Sequence, residues 1–349
     1  MKTTPMKKKC TIRDVAAESG LSIWTVSKVL SDREPKRKFP EATRRRVRDA
    51  ARKLDYVPNV NAQRFFRNRS YVIGILVPPL EERNNAFTDP HFADIMLGLE
   101  AELCKTPYHV MFFFNHEEFK EGRRYAEIFR SGMIDGLLIW GVHRSDRYWN
   151  HLQELTQPVL FLTTTPELPP DESVNYVTSD YCEDARRIVH ARLSAGPRRV
   201  LWLAGQRDTS IYSSLRKVIL DEFQAAGIPE DRLTVCCSTY DFVDGVRLTA
   251  EELEKNSFDL VFTTSSPLAE GAQKILDDRD LRNIPIVSFD CHLSPASCGC
   301  RYSALKTNDR EIGRLAFHGL VDLMERKSET QKIQIRVPAE FCNGIDMES

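Results

Sequence analysis

Residues 11–30 read TIRDVAAESGLSIWTVSKVL, the pattern of two short helices joined by a tight turn. Thr11 is placed to cap the first helix, and Ile12, Val15 and Ala16 recur at i, i+3 and i+4 on one face. Ser19-Gly20 supplies the reversal, because glycine tolerates backbone angles that a side chain would strain. Ser22 is placed to cap the second helix, whose Val26, Val29 and Leu30 form a buried face. At about 100° per residue, Trp24 and Lys28 fall nearly opposite Val26. A helix-turn-helix lays its second helix in the DNA major groove, where outward residues near its N-terminus meet base edges. The alternative is a surface helix with one chance aromatic, and charge decides between the two.

Residues 1–70 carry 19 Lys and Arg against 7 Asp and Glu, whereas residues 71–349 carry 30 against 43. The overall net charge of −1 therefore hides a basic head on an acidic body. Clustered positive charge is the footprint of phosphate binding, and an acidic body does not compete for the same polyanion.

Outward from that stretch, SDREPKRKFP is a polar, basic loop. Glu41 to Leu54 reads as a third helix with Val47, Ala50, Ala51 and Leu54 as its apolar stripe. Tyr56-Val57-Pro58-Asn59 ends the head, because proline disfavours helix in the residue before it. VNAQRFFRNRS follows as a hinge, too short to be a stable helix alone and expected to order on DNA. Its Phe65 and Phe66 sit among Arg64, Arg67 and Arg69. Phe65 suits a minor-groove wedge, and Phe66 suits packing on the head.

From Tyr71 the texture changes. YVIGILVP, YHVMFFF, IDGLLIW, PVLFLTT, VNYVTSD, RRVLWLAG, LTVCCST, FDLVFTT and IPIVSFD are short apolar runs. Between most of them lie helical patterns such as Ala93–Lys105, Arg123–Ser131, Cys182–Ser194, Leu215–Ala226 and Pro267–Asp277. Continuous apolar strands alternating with helices predict parallel sheet covered on both faces. More than 250 residues exceed one open sheet, so two lobes with a cleft beyond the strands' carboxyl ends are expected.

The chain's 349 residues suffice for two or three domains. MKTTPMKKKC lacks the apolar run of a signal peptide, and no stretch approaches the ~20 apolar residues of a membrane span. A cytoplasmic protein without membrane association is expected. Nine Cys without a C-x-x-C suit reduced thiols. The cluster Cys291, His292, Cys298 and Cys300 matches no common zinc spacing and reads as a loop. No metal site and no cofactor is expected.

On these residues the chain resembles the LacI/GalR family of bacterial transcriptional regulators. The head matches most closely, through TIRDVAAESGLSIWTVSKVL, EATRRRV and YVPN. In the body, IGILVP, the DPHF before a helix, DGLLIW, VTSD, RRVLWLAG, FDLVFTT, SFD and LKTNDREIG occur in the right order. The resemblance implies an all-α helix-turn-helix head of three helices plus a hinge helix, joined to an α/β periplasmic-binding-protein-like body of two lobes with parallel sheets. It implies a homodimer, on a pseudo-palindromic double-stranded DNA operator, controlled by a small-molecule effector of carbohydrate type. The expected bounds are 1–57 for the head, 58–70 for the hinge and 71–349 for the body. Within the body, 71–178 and 303–327 are expected in the first lobe, 179–302 and 328–349 in the second. After NGIDMES no heptads follow, so the dimer is the expected unit.

By the same resemblance, base-reading positions fall on Ile23, Trp24 and Lys28, and phosphate-touching ones on Thr25 and Ser27. Phe65 aligns with the family's hinge leucine. Thr11, Ser22, Asn59 and Ala62 complete the candidate DNA-contacting set. In the cleft, Arg216 aligns with a sugar-contacting arginine and Asp290 with an acceptor aspartate. His91 or Phe92 takes the place of the aromatic before the first body helix, and Trp140 and Ser266 join them. An arginine, an aspartate and a stacking ring together suit a polyhydroxylated ligand. The other reading of Arg216 and Asp290 is a buried ion pair between lobes.

This sequence departs from the family in several places. Trp24 cannot make the bidentate bonds of Gln or Arg and suits a thymine methyl instead. Pro40 replaces the expected helix cap, and Glu81–Thr88 reads as an insertion. Ser265-Ser266 stand where Asn-Asp is usual, and Cys291 follows Asp290 where another acid is common. Against a sugar-active enzyme, the chain has no G-x-S-x-G, P-loop, metal-binding His pair or Rossmann fingerprint. An architectural DNA binder independent of any effector leaves the long α/β body without a role.

Overall fold

The computed structural model describes residues 10–30, 39–57, 69–79, 86–121, 123–143, 157–166, 173–196, 199–325 and 332–344. Met1–Ser70 and Tyr71–Ser349 form two separate compact units. The hinge positions Asn59, Ala62 and Phe65 lie outside the described residues, as does most of the expected insertion at Glu81–Thr88.

In the head, α1 spans Ile12–Ser19, α2 Ile23–Leu30 and α3 Glu41–Lys53. Thr11 caps α1 as expected, through a capping box with Asp14 whose carboxylate accepts the Thr11 N–H and hydroxyl, each at 2.8 Å. Gly20 ends α1 at φ +62°, the left-handed conformation the turn requires. Ser22 Oγ accepts the Thr25 N–H at 3.1 Å and so starts α2. Pro40 offers no side-chain cap, and its carbonyl accepts the Thr43 and Arg44 N–H groups instead. Val15, Val26, Val29, Val47, Ala50 and Ala51 close a small core between the three helices.

In the body, the first lobe begins with β1 (Val72–Val77), α4 (Pro90–Leu103), β2 (His109–Phe114), α5 (Glu117–Glu121) and α6 (Arg124–Arg130). It continues with β3 (Gly136–Trp140), β4 (Val159–Leu162) and β5 (Tyr176–Ser179). The second lobe runs α7 (Tyr181–Ser194), β6 (Val200–Ala204), α8 (Ser210–Ala225), β7 (Leu233–Cys237) and α9 (Phe242–Lys255). Then come β8 (Leu260–Thr263), α10 (Ser266–Asp278), β9 (Ile286–Cys291), β10 (Ser303–Lys306), α11 (Asp309–Glu325), β11 (Gln334–Val337) and β12 (Glu340–Cys342).

One six-stranded sheet has the order β11-β5-β4-β3-β1-β2 and the other β12-β10-β9-β8-β6-β7. Every pairing is parallel except β10 with β12. Both faces are covered, as the unbroken apolar runs require. Ile73, Ile75 and Val77 of β1 enter one core while Val72 and Leu76 enter another. Val200, Trp202 and Ala204 of β6 are likewise separated from Leu201 and Leu203.

The lobe bounds expected near the C-terminus are corrected. Residues 303–306 pair with β9 and β12 in the second sheet, not the first. Residues 334–337 pair with β5 in the first sheet, not the second. The chain therefore crosses after β5, after β10 and after β11. Four-residue strands carry too little pattern to reveal which sheet they join, because that choice is made by non-local pairing.

Helix packing is unusually close at two glycine pairs. A Cβ on Gly98 of α4 would collide with the Arg310 carbonyl, and one on Gly313 of α11 with the Ile95 carbonyl. In the second lobe a Cβ on Gly245 of α9 would lie 2.6 Å from the Leu268 carbonyl oxygen of α10. Among the described residues no helix is long and apolar enough to cross a membrane.

Candidate DNA-facing helix and ligand cavity

The second helix of the head presents Ser22, Ile23 and Trp24 to solvent, with Ile23 47% and Trp24 55% exposed. Val26 and Val29 anchor the opposite face in the core. Trp24 is steadied by Phe39, whose ring lies edge-on at 6.0 Å between centroids. Thr25, Ser27 and Lys28 are half-buried along the flank. Ser22 and Thr25 also share a hydroxyl–hydroxyl bond of 2.9 Å. Arg46 Nη2 donates to the Ser19 carbonyl at 2.7 Å, tying α3 to the turn that sets the angle of α2.

The body holds a cavity of about 480 Å³ between its lobes. It lies where strand-end geometry places it: Trp140 ends β3, Thr163 and Thr164 follow β4, Thr264 to Ser266 follow β8, and Asp290 lies near the end of β9. Three of the helices that start on its wall have first-turn amides already bonded to a side chain. Asp89 accepts the His91 and Phe92 N–H groups at 2.8 and 3.2 Å. Thr209 accepts the Tyr212 N–H at 3.2 Å, and Asp241 the Asp244 N–H at 2.7 Å. Thr163 and Tyr240 on the wall hold φ of +62° and +70°, in the left-handed region that side chains avoid. Ser238 Oγ accepts the Tyr240 N–H at 3.2 Å, and Ser265 Oγ donates to the Tyr240 carbonyl at 3.1 Å, which secures the second of these.

His91 is the polar centre. Its Nδ1 lies 2.8 Å from Asp309 Oδ2 and its Nε2 3.2 Å from Asp290 Oδ2. Thr307 Oγ1 donates to Asp309 Oδ2 at 2.7 Å, in the segment that crosses between lobes. His91 belongs to α4 of the first lobe and Asp290 to β9 of the second, so the pair joins the lobes at the cavity wall. Burial alone would push the His91 imidazole down, but the carboxylates of Asp290, Asp309 and Asp89 outweigh it and lift it to about 10. Burial pushes the Asp290 carboxyl up, against the pull of His91. His292, edge-on to His91 at 5.7 Å, is pushed down by burial and by the His91 charge.

A pH dependence follows from the raised His91. Its contribution to stability is complete below the ordinary histidine value of about 6.5 and is lost as pH rises through about 10. The melting temperature of the full chain should therefore fall between about pH 8 and pH 10.5 by more than that of His91→Gln. Parallel curves for the two proteins would show that the imidazolium carries no linkage.

Of the six cleft residues expected from sequence, His91, Trp140, Ser266 and Asp290 line the cavity. Ser266 Oγ donates to the Asp290 carbonyl at 3.0 Å. Two others are corrected. Phe92 is 2% exposed and packs in the core, its ring 5.0 Å from Trp140. Arg216 pairs with Glu230 at 2.9 Å on the surface, its side chain 45% exposed. On α8 it is Ile211 and Leu215, four residues apart, that face the cavity, and the residue after Leu215 turns about 100° away. The ion pair between lobes exists, with His91 rather than Arg216 as its cation. Thr164, Tyr240, Glu270, His292 and Asp309 also line the cavity. Only the position of Thr164, at the end of the run PVLFLTT, offered a signal for it.

Among the described residues, Thr164 Oγ1 and Asp290 Oδ1 are buried without a hydrogen-bond partner, and both belong to lining residues. A buried polar atom without a partner carries a desolvation penalty that a ligand bond removes.

Comparison with known proteins agrees with this arrangement. The family described as "Bacterial regulatory proteins, lacI family" matches residues 11–59. "Periplasmic binding proteins and sugar binding domain of LacI family" matches residues 70–342. The chain is 25% identical over 288 residues to the HTH-type transcriptional regulator CelR of Thermobifida fusca, covering 81% of this chain and 83% of that protein. It is 24% identical over 331 residues to the HTH-type transcriptional repressor CytR of Escherichia coli (strain K12), covering 93% of each. A solved lac repressor dimer bound to operator and the anti-inducer ONPF has the same fold, with a TM-score of 0.80 at 19% identity over 96% of this chain and 98% of that one. A CelR–cellobiose complex gives a TM-score of 0.65 at 22% identity, over 95% and 98%. With one family match over the head and a second over most of the body, the chain belongs to the LacI family of bacterial transcriptional regulators and is not an enzyme.

Proposed function

We propose that this chain is a cytoplasmic repressor that binds a pseudo-palindromic operator as a homodimer and is controlled by a small carbohydrate in the cavity of its body. The observation that carries the reading is the cavity itself, which joins two lobes through His91 and Asp290 and leaves Asp290 Oδ1 and Thr164 Oγ1 in want of a partner. Its volume of about 480 Å³ suits a mono- or disaccharide, and Trp140, Tyr240 and Phe242 offer ring faces to sugar C–H groups. The CelR relative was solved with cellobiose and the lac repressor as a dimer on its operator, which supports the same division of labour here. In the head, Ile23, Trp24 and Lys28 read bases, while Thr25 and Ser27 touch phosphates. Thr11, Ser22, Asn59, Ala62 and the Phe65 wedge complete the DNA contacts.

A carbohydrate meeting Asp290 displaces part of its bond to His91 and so biases the arrangement of the lobes. The test uses DNA selected on the full chain, with affinity measured with and without each sugar of a screen. Asp290→Ala should retain operator binding and lose at least about tenfold of the sugar response, the loss expected for a charged hydrogen bond. Unimpaired response in that variant would remove Asp290 from the site.

A further inference from the structure

We infer that the cavity rejects anions, so that the effector is an uncharged polyol or one bearing a basic nitrogen, and not a phosphorylated sugar, a sugar acid or a nucleotide. This rests on the carbohydrate reading and narrows it. Five carboxylates line the cavity, from Asp89, Asp241, Glu270, Asp290 and Asp309, and no Lys or Arg does among the described residues. Loss of Arg216 from the lining removes the cation that the family resemblance supplied. Three histidines line the cavity as well, His91, His143 and His292; His91 is already held between Asp290 and Asp309, and burial pushes His292 down.

Helix N-termini are the usual alternative for holding an anion, because their amides point outward and the dipole favours negative charge. Three of those ends already serve the protein's own acceptors: Asp89 caps α4, Thr209 caps α8 and Asp241 caps α9. A fourth, α10, starts on the wall without a side-chain cap, but Pro267 in its first turn removes one of the amides a phosphate would use. The unsatisfied acceptor Asp290 Oδ1 asks for an O–H or N–H donor. The ring faces of Trp140, Tyr240 and Phe242 accept a C–H surface or a cation and repel a negative charge.

The experiment measures binding to the full chain by calorimetry and thermal shift at about pH 7.5. The probes are matched sets: ribose, glucose, galactose and cellobiose, each sugar's phosphate, its acid and, for the hexoses, its 2-amino derivative. A neutral or amino member should bind at least about a hundredfold more tightly than its anionic counterpart, since like charges brought together in a desolvated site are strongly disfavoured. A phosphate or acid that binds as well as its neutral parent overturns the inference. Silence from every probe strikes the carbohydrate reading itself, and the inference falls with it. Glu270→Gln separates charge from size, because it removes a charge and keeps the shape. The ratio between neutral and anionic members should narrow in that variant; an unchanged ratio assigns the exclusion to size and overturns the electrostatic account.

Discussion

Operator affinity of the full chain should fall about 10³- to 10⁵-fold between about 50 and 200 mM salt, the range for a protein that neutralises six to ten phosphates. The charge for this lies in residues 1–70, where Lys and Arg outnumber Asp and Glu by 19 to 7. Each Lys or Arg that meets a phosphate releases condensed counterions, so the slope of log affinity against log salt counts the contacts. Residues 71–349 carry the opposite excess and add nothing to it. A chain starting at Tyr71 should have no measurable operator affinity while retaining its thermal unfolding transition, because the body is a compact unit of its own. Salt-insensitive binding, or operator binding by the shortened chain, would place the DNA contacts elsewhere.

Gly98→Ala or Gly313→Ala should destabilise the body by about 3 kcal/mol or more, which for a domain of this size lowers Tm by roughly 6–12 °C. The new methyl has no side chain to push aside. At Gly98 it meets the Arg310 carbonyl and at Gly313 the Ile95 carbonyl, so α4 and α11 must move apart. Those helices carry Phe92, Ile95, Leu99, Ile312, Ala316 and Leu320 into one core, and separating them opens it. Gly132→Ala is the control, since its φ of +67° is strained by a side chain but nothing stands within 4 Å. That change should cost only about 1 kcal/mol. Equal melting temperatures for Gly98→Ala and Gly132→Ala would show that the helix contact yields freely.

The strands β1 to β9 were legible because burial on both faces leaves runs such as VIGILV and VLWLA without polar interruption. Part of the cavity was legible for a related reason, since Asp290 and Ser266 stand at strand and helix ends marked by the end of an apolar run. Arg216 was expected in the cleft from the family resemblance alone, and helical phase puts it elsewhere. The Thr209 cap starts α8 at Ser210. That start turns Ile211 and Leu215 to the cavity and Arg216 to solvent. The same phase question, between His91 and Phe92, is answered by the Asp89 cap of α4. Asp309 was beyond reach for another reason: its meaning depends on His91, more than 200 positions earlier in the chain.

The late strand crossings bear on how the protein is made. The three helices of the head are complete by residue 53 and share a core of their own, on which Leu54 and Tyr56 also pack. Neither lobe has that independence. The first sheet takes an edge strand from Gln334–Val337 and the second from Glu340–Cys342, so both remain unfinished until those residues have been made. During synthesis at about 5–20 residues per second, a nascent chain displays a formed DNA-binding head ahead of any finished regulatory body. A premature stop after α11 would release polypeptides with that head intact and two open sheet edges exposed, a combination suited to aggregation on DNA.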